Sequence, residues 1–270
     1  MECKAYKFKE TRIELIPIGD VHMGDKAFTA ESLEKLKGYI DYIKNHSSAY
    51  CFLMGDLCNC ATLDSKSSPF AQNMDVNQQI KEIVKILSPI KKKILGAIDG
   101  NHELRLERYC GYSPTISICE RLDVPYFKNS AVIIFRLCCH GTRDVSRAAF
   151  VGYFHHTTGG SGNSMGGKIN RPEKLKGIIG NCDFYCGAHN HSMITGHTIV
   201  FKVNETTEKI EQLRQIILTT GGYLQFNDSY VEEKMLSPMK IGSPRISLIV
   251  KRHDDENGKD APQKDIHVSL

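Results

Sequence analysis

Ile94-Leu-Gly-Ala-Ile-Asp-Gly-Asn-His-Glu103 sets an apolar run, Ile94 to Ile98, just ahead of Gly100, Asn101, His102 and Glu103. A buried strand should end there, and chemistry concentrates where strands hand over to loops. Asn101 offers a neutral oxygen ligand, and His102 beside it offers a proton donor or acceptor that works near neutral pH. An Asn-His pair in a turn is common and carries little alone. It matters here because four other apolar runs of the chain also end in residues that ligate metals. The rest of the chain then reads as a scaffold that brings five loop tips together.

Arg12 to Ile18 alternates and then turns apolar, with Gly19 closing it and Asp20-Val-His22 following. Two residues apart in an extended segment, Asp20 and His22 point the same way and can share one ion. Tyr50 to Met54 ends in Gly55-Asp-Leu-Cys-Asn59, where Gly55 permits a tight turn and the two oxygens of Asp56 can bridge two cations. Ala148 to Phe154 ends in His155-His156, and Cys182 to Cys186 ends in Gly187-Ala-His-Asn-His191. Singly, each has a bland reading as a turn aspartate or a surface histidine. Collected, they offer Asp20, His22, Asp56, Asn101, His155 or His156, His189 and His191. This set suits manganese, iron or zinc and suits calcium poorly. With one bridging carboxylate, two ions are the natural count. Two ions roughly 3.5 to 4 Å apart, sharing a hydroxide nucleophile, are the usual device for splitting phosphate esters.

Between the tips lie helical patterns. Thr29 caps a helix with Leu33, Leu36, Ile40 and Ile43 on one face, Ile80 to Leu87 form a second, and Ser113-Pro114 opens a third. Alternating strands and helices give way to strands at 131–139, 148–154, 194–203, 215–220 and 246–250. The ligands run from Asp20 to His191, so one domain, residues 1–250, is expected, with a disordered polar tail at 251–270. The polar stretch 60–75 is long enough for a loop to suggest a role. The Gly/Ser-rich stretch from Thr157 to Gly167 can wrap a ligand, and Pro172 opens a short helix to Gly180. Residues 160–171 are expected to close over substrate, with Lys168 or Arg171 meeting phosphate. Of Arg105 and Arg108, each able to reach a phosphate, Arg105 is the favoured one.

The 270 residues are 41% hydrophobic and carry a net charge of +4 with the cations scattered, so nucleic-acid binding is neither demanded nor excluded. Met1 to Glu10 lacks a continuous hydrophobic segment, which argues against a signal peptide, and nothing reaches membrane-spanning length. Ten cysteines in a long chain, with Cys138 and Cys139 adjacent, point to reduced thiols and a cytoplasmic location. Cys58-x-Cys60 and the pair Cys182 and Cys186 lack the spacing of a structural zinc site.

In this order, Asp-x-His, Gly-Asp-x-x-Asn, Gly-Asn-His-Glu, a lone histidine and Ala-His-x-His resemble the calcineurin-like metallophosphoesterases, and the chain end, with Gly221-Gly-Tyr-Leu224 and Tyr230, and the short spacing between motifs are more loosely similar to compact bacterial and bacteriophage members. The resemblance spans Asp20 to His191. It implies an α/β (α+β) fold: two facing mixed β-sheets flanked by helices, a four-layer sandwich. It also implies that Asp20, His22, Asp56 and His191 hold a first divalent ion. Asp56, Asn101, His155 and His189 would hold a second, with His156 the alternative to His155. Manganese leads, with iron, zinc or nickel as alternatives. By the same resemblance His102 is not a ligand but protonates the leaving group, with Asn59 standing where many relatives place an aspartate to orient it. The expected activity is hydrolysis of phosphate esters, foremost phosphodiesters of nucleotides or nucleic acid. The alternatives are a phosphomonoesterase or protein phosphatase, and a non-catalytic metal-binding scaffold. Neither a membrane nor a protein partner is indicated.

Overall fold

The strand β2 (Arg12–Ile18) shows how the layers arise: Ile13 and Leu15 enter one buried cluster while Ile16 and Ile18 enter another. A strand covered on both faces must be apolar on both, which is why these runs look continuous and not alternating. A computed structural model describes residues 1–63, 65, 69–139, 147–158, 164–206, 208–225, 240–254 and 260–270. Besides β2, the strands are β1 (Glu2–Lys7), β3 (Ala49–Leu53), β4 (Ile94–Ala97), β5 (Ser130–Cys138), β6 (Arg147–His155), β7 (Phe184–Gly187), β8 (Ile194–Asn204), β9 (Lys209–Thr219), β10 (Arg245–Asp254) and β11 (Asp260–Ser269). The helices are α1 (Ala30–Asn45), α2 (Val76–Leu87), α3 (Asn101–Cys110), α4 (Pro114–Leu122) and α5 (Met165–Lys174).

Two mixed sheets result, ordered β1-β5-β6-β7-β9-β8 and β11-β10-β2-β3-β4. Between them lies an aromatic core, in which Phe154 stacks on Phe52 at 4.3 Å and meets Phe184 edge-on at 5.6 Å. The outer face of the β2 sheet packs Ile16, Cys51 and Leu53 against Leu36, Ile40, Ile80, Ile83 and Ile118 of α1, α2 and α4. Val132, Tyr153, Tyr185 and Ile217, on the outer face of the β5 sheet, pack with Leu175 just beyond α5. Helix, sheet, sheet and helix therefore form four layers, as expected. Thr29 caps α1 through a bond from Ser32 N, and Ser113 caps α4 through one from Ile116 N, with Pro114 at the first turn.

The structure departs from expectation, or adds to it, in four places. Residues 101–110 form a helix that starts at the metal-type residues themselves. Its only charge-free signal is weak, because five of its ten residues are charged or histidine. The expected tail at 251–270 is corrected: β11 pairs with β10 along Arg245↔Ser269 to Asp254↔Asp260. Ile266 and Val268, two residues apart, pack onto the inter-sheet core, a period-two signal too short to outweigh the polar residues around it. Met1 to Glu10 contains β1, parallel to β5 at the sheet edge. The helix expected to open at Pro172 instead runs from Met165, capped by Ser164, and Pro172 lies near its end. Residues 160–163 of the expected closing loop, and Tyr230, lie outside the described residues. No helix among the described residues is long and apolar enough to cross a membrane.

Candidate metal centre

At the ends of β2 and β3, the left-handed backbone of Gly55 sets the first turn. Its φ is +83°, and a Cβ there would sit 2.2 Å from the backbone nitrogen of Gly100. Conversely, a Cβ on Gly100 would lie 2.1 Å from Asp56 Oδ1. Only glycine at both positions lets the two tips touch. Glu103, fully buried, locks the contact: its carboxylate accepts from the backbone nitrogens of Leu57 at 2.7 Å, Asp56 at 2.9 Å, and Cys58 and Gly100 at 3.1 Å. Asp56 Oδ1 in turn accepts from His102 N at 2.8 Å.

Asp20 is held from the other sheet by His189 N at 2.9 Å to Oδ2 and by Thr220 Oγ1 at 3.4 Å. Gly222 leaves room for the His191 ring, whose Nδ1 would be 2.5 Å from any Cβ there. Asp20, His22, Asp56, His189 and His191 all have φ between 49° and 80°, five of the nine non-glycine residues with positive φ among the described residues. Such left-handed backbone costs of order 1 to 3 kcal/mol per residue and persists where the surroundings over-determine it, so strain is concentrated at these loop tips.

The side chains converge. His156 Nε2 lies 3.2 Å from Asp56 Oδ2, 3.1 Å from Asn101 Oδ1 and 3.9 Å from Asp20 Oδ1. His22 Nε2 is 3.7 Å from Asp56 Oδ2, and His191 Nε2 is 3.9 Å from Asp20 Oδ1. Two separate groups, Asp20 with His22 and His191, and Asp56 with His156 and His189, have donor atoms close enough to hold a metal ion. A third, His22 with Asp56 and His102, lies between them.

The histidine of this cluster is His156, which corrects the preference for His155. Phe154 points into the inter-sheet core, so pleat parity turns His155 outward on the side of Tyr153 and brings His156 inward. His155 Nδ1 accepts from Thr157 N at 2.7 Å, whereas His156 Nδ1 donates to Met54 O at 2.7 Å and so directs Nε2 at the carboxylates. Counting from the last apolar residue misplaced the ligand; counting by pleat would have found it.

Burial, with neighbouring imidazoles, drives His22 well below the usual histidine range, His191 down to about 4, and His189 down as well. These rings are neutral at pH 7 and keep lone pairs. His22 Nε2 is buried with no hydrogen-bond partner among the described residues. Burial, reinforced by Asp56, raises Asp20 to about 7. Burial opposes a charge on His156, but Asp56 and Asp20 outweigh it and push this ring up to about 10. Neutral imidazoles, two carboxylates, an amide oxygen and an orphaned nitrogen together fit transition-metal cations.

His102 Nδ1 sits 2.6 Å from the backbone oxygen of Asn59. The orienting group is thus the main chain and not the Asn59 amide, which instead approaches Gln72 Oε1 at 3.4 Å. A nitrogen that donates to a carbonyl cannot also accept, so Arg105 Nη2 at 3.0 Å from Nδ1 acts there as a neighbouring charge. Lys168 is buried, and its backbone oxygen receives Asn190 Nδ2 at 2.9 Å; Arg171 bonds to Thr158 O, and its charge reaches His189. Of the expected substrate-binding residues, Arg105 therefore stands beside the cluster, Arg171 flanks it and Lys168 is turned into the protein. Glu103, Thr220 and Gly222 carried no expectation. Glu103 stands three residues after Gly100, the spacing of a capping box, which was the available signal.

No family model matches the chain, and no curated protein matches it. Among solved structures it is similar to Vps29 of Chaetomium thermophilum, at 11% identity and TM-score 0.34 over 95% of this chain and 97% of that one. It is also similar to the NAD nucleotidase NadN of Haemophilus influenzae, at 10% identity and TM-score 0.39, covering 95% of this chain and 50% of that one. A third likeness is to GAP50, the anchor in the inner membrane complex of Plasmodium, at 12% identity and TM-score 0.41 over 94% of this chain and 88% of that one. Likenesses this remote say nothing of the chemistry here, which rests on this chain's own residues.

Proposed function

We propose that the chain is a calcineurin-like metallophosphoesterase that hydrolyses phosphate esters, with phosphodiesters of nucleotides or nucleic acid the favoured class. The observation that carries the reading is the convergence of two neighbouring donor groups on Asp20 and Asp56, with His156 Nε2 3.2 Å from Asp56 Oδ2. Asp20, His22, Asp56 and His191 would hold one divalent cation, and Asp56, Asn101, His156 and His189 a second. Manganese is preferred over iron, zinc and nickel. Bound there, such cations would polarise a phosphoryl oxygen and supply a nucleophile at neutral pH. Ten free cysteines agree with a reducing, cytoplasmic setting.

The protein's own contributions follow from its contacts. Asn59 O and the imidazole tautomer leave His102 Nε2 as the atom that gives a proton to the departing oxygen. Arg105, beside that ring, meets a non-bridging phosphate oxygen. Glu103 and the two glycines fix where Asp56 stands and so hold both donor groups in register.

The test compares rates on a nitrophenyl diester, a nitrophenyl monoester, a cyclic nucleotide, single-stranded DNA and a phosphopeptide, with manganese and with chelator. Manganese-dependent turnover, fastest on diesters, is expected. Faster monoester turnover would move the substrate class to monoesters. Undiminished rates in chelator would remove the two-metal mechanism, and no turnover of any substrate would leave a metal-binding scaffold.

A further inference from the structure

Helix α3 carries a second feature beyond the cluster. Asn101, Arg105, Arg108 and Tyr109 recur at four, seven and eight residues, so they share one helical face. With Thr62 they line a cavity of about 560 Å³ that opens beside the candidate metal centre. Two polar atoms at this cavity are buried without a hydrogen-bond partner among the described residues: Arg105 Nε and Thr62 Oγ1. Buried polar atoms are normally satisfied, so two unpartnered ones on residues that line the same cavity agree with a polar ligand there. Arg108 is exposed, and Tyr109 is 54% exposed. The one acidic residue between them and Arg105, Glu107, is paired with Lys128 at 3.1 Å and does not neutralise the arginines.

We infer that this face is a binding groove for single-stranded nucleic acid, with Arg105 and Arg108 on successive backbone phosphates and Tyr109 stacked under a base. The inference rests on the phosphoesterase reading only for the identity of the phosphate nearest Asn101. Asn101 and Arg108 are separated by about 10 Å along the helix axis at 1.5 Å per residue. One phosphate cannot satisfy both, so a mononucleotide leaves the far end of the groove empty while a chain fills it. Guanidinium groups beside an aromatic ring bind unpaired strands without reading sequence, because every base has a face to stack. A duplex offers no free base face to Tyr109, and a phosphopeptide offers a single phosphate.

The test measures fluorescence anisotropy of a labelled phosphorothioate oligothymidylate of about eight nucleotides, which resists hydrolysis, in manganese and in chelator. Arg108→Ala and Tyr109→Ala, each checked for native circular dichroism, should weaken binding roughly 5- to 150-fold for the stacking residue, and the arginine change should also flatten the salt dependence by about one counterion. Thymidine monophosphate should bind the variants and the wild type alike within about twofold, since it cannot reach the far end of the groove. Wild-type affinity in both variants, or equal losses on mononucleotide and oligonucleotide, would overturn the groove. Tighter binding of a phosphopeptide that depends on the same two residues would overturn the choice of ligand. Oligonucleotide binding without turnover of any ester would sink the phosphoesterase reading and leave the groove. Turnover of the nitrophenyl diester without oligonucleotide binding would do the reverse.

Discussion

The Glu103 carboxylate accepts the backbone N–H of Asp56 at 2.9 Å, so the first turn of α3 is bolted to the turn after β3. Three further N–H groups, of Leu57, Cys58 and Gly100, end on the same two oxygens. Glu103→Ala strands all four in a buried setting, where one unpaired group costs about 1 to 3 kcal/mol. The expected outcome is a loss of at least about 3 kcal/mol in urea unfolding, together with weakened manganese binding. A variant within about 1 kcal/mol of wild type would show that the carboxylate is not what ties the loops.

The tight approach of Gly100 to Asp56 gives a paired prediction. Gly100→Ala drives a methyl to within 2.1 Å of Asp56 Oδ1 and should abolish hydrolysis and lower stability. Gly38→Ala, in the middle of α1 with nothing within 4 Å, should instead stabilise by roughly 0.5 to 1 kcal/mol. Thermal and urea unfolding of the two variants check both signs; a tolerated Gly100→Ala would mean that the loop tips are free to move apart.

Strand tips and their side-chain chemistry could be read from the chain because apolar runs end abruptly at Asp20, Asp56 and His189, and because α1 and α4 announce themselves by caps. What escaped was set by contacts between distant segments. Glu103 acts on Asp56, 47 residues away, and nothing local to either residue says so. β11 escaped because its pairing with β10 satisfies a backbone whose side chains are mostly polar. His102 was expected to be oriented by the Asn59 side chain, and only the folded turn reveals that the Asn59 carbonyl does this.

His155 and His156 separate cleanly in function on this geometry. Under the proposed two-ion reading, His156→Ala should remove manganese binding at one site and lower the hydrolytic rate by several orders of magnitude. His155→Ala, which loses only a bond from Thr157 N, should stay within about tenfold of wild type. Metal stoichiometry by calorimetry and rates on a nitrophenyl diester check the pair, and a reversed ranking would restore His155 as the ligand.

Metal removal should make stability depend on alkaline pH. His156, at about 10 when folded against 6.5 as a free side chain, contributes stability that is full below 6.5 and lost as pH rises through 10. His22 and His191, shifted down, have finished titrating below about pH 7 and add no slope above it. Urea midpoints in chelator should therefore fall from about pH 7 to about pH 9, whereas in manganese, which by the proposed reading would displace the His156 proton, they should hold or rise. Equal slopes in both conditions would show that the cation does not sit against His156.

His102 is oriented by main-chain geometry, so under the proposed reading its contribution as a proton donor is separable from that of the Asn59 side chain. With Nδ1 committed to Asn59 O at 2.6 Å, Nε2 is the atom left for a leaving group. A positioned acid contributes about 10²- to 10⁴-fold, and only where the leaving oxygen needs the proton. His102→Ala should accordingly cripple hydrolysis of alkyl and nucleoside esters while largely sparing nitrophenyl esters, whose leaving group departs unaided. Asn59→Asp keeps the carbonyl that orients the ring, and its side chain faces Gln72, so leaving-group selectivity should survive that change. Because His102 also stands within reach of His22 and Asp56, the competing role is metal ligation. That role predicts equal losses on both ester classes and a drop in manganese stoichiometry for His102→Ala, and either result would reassign this histidine from acid to ligand.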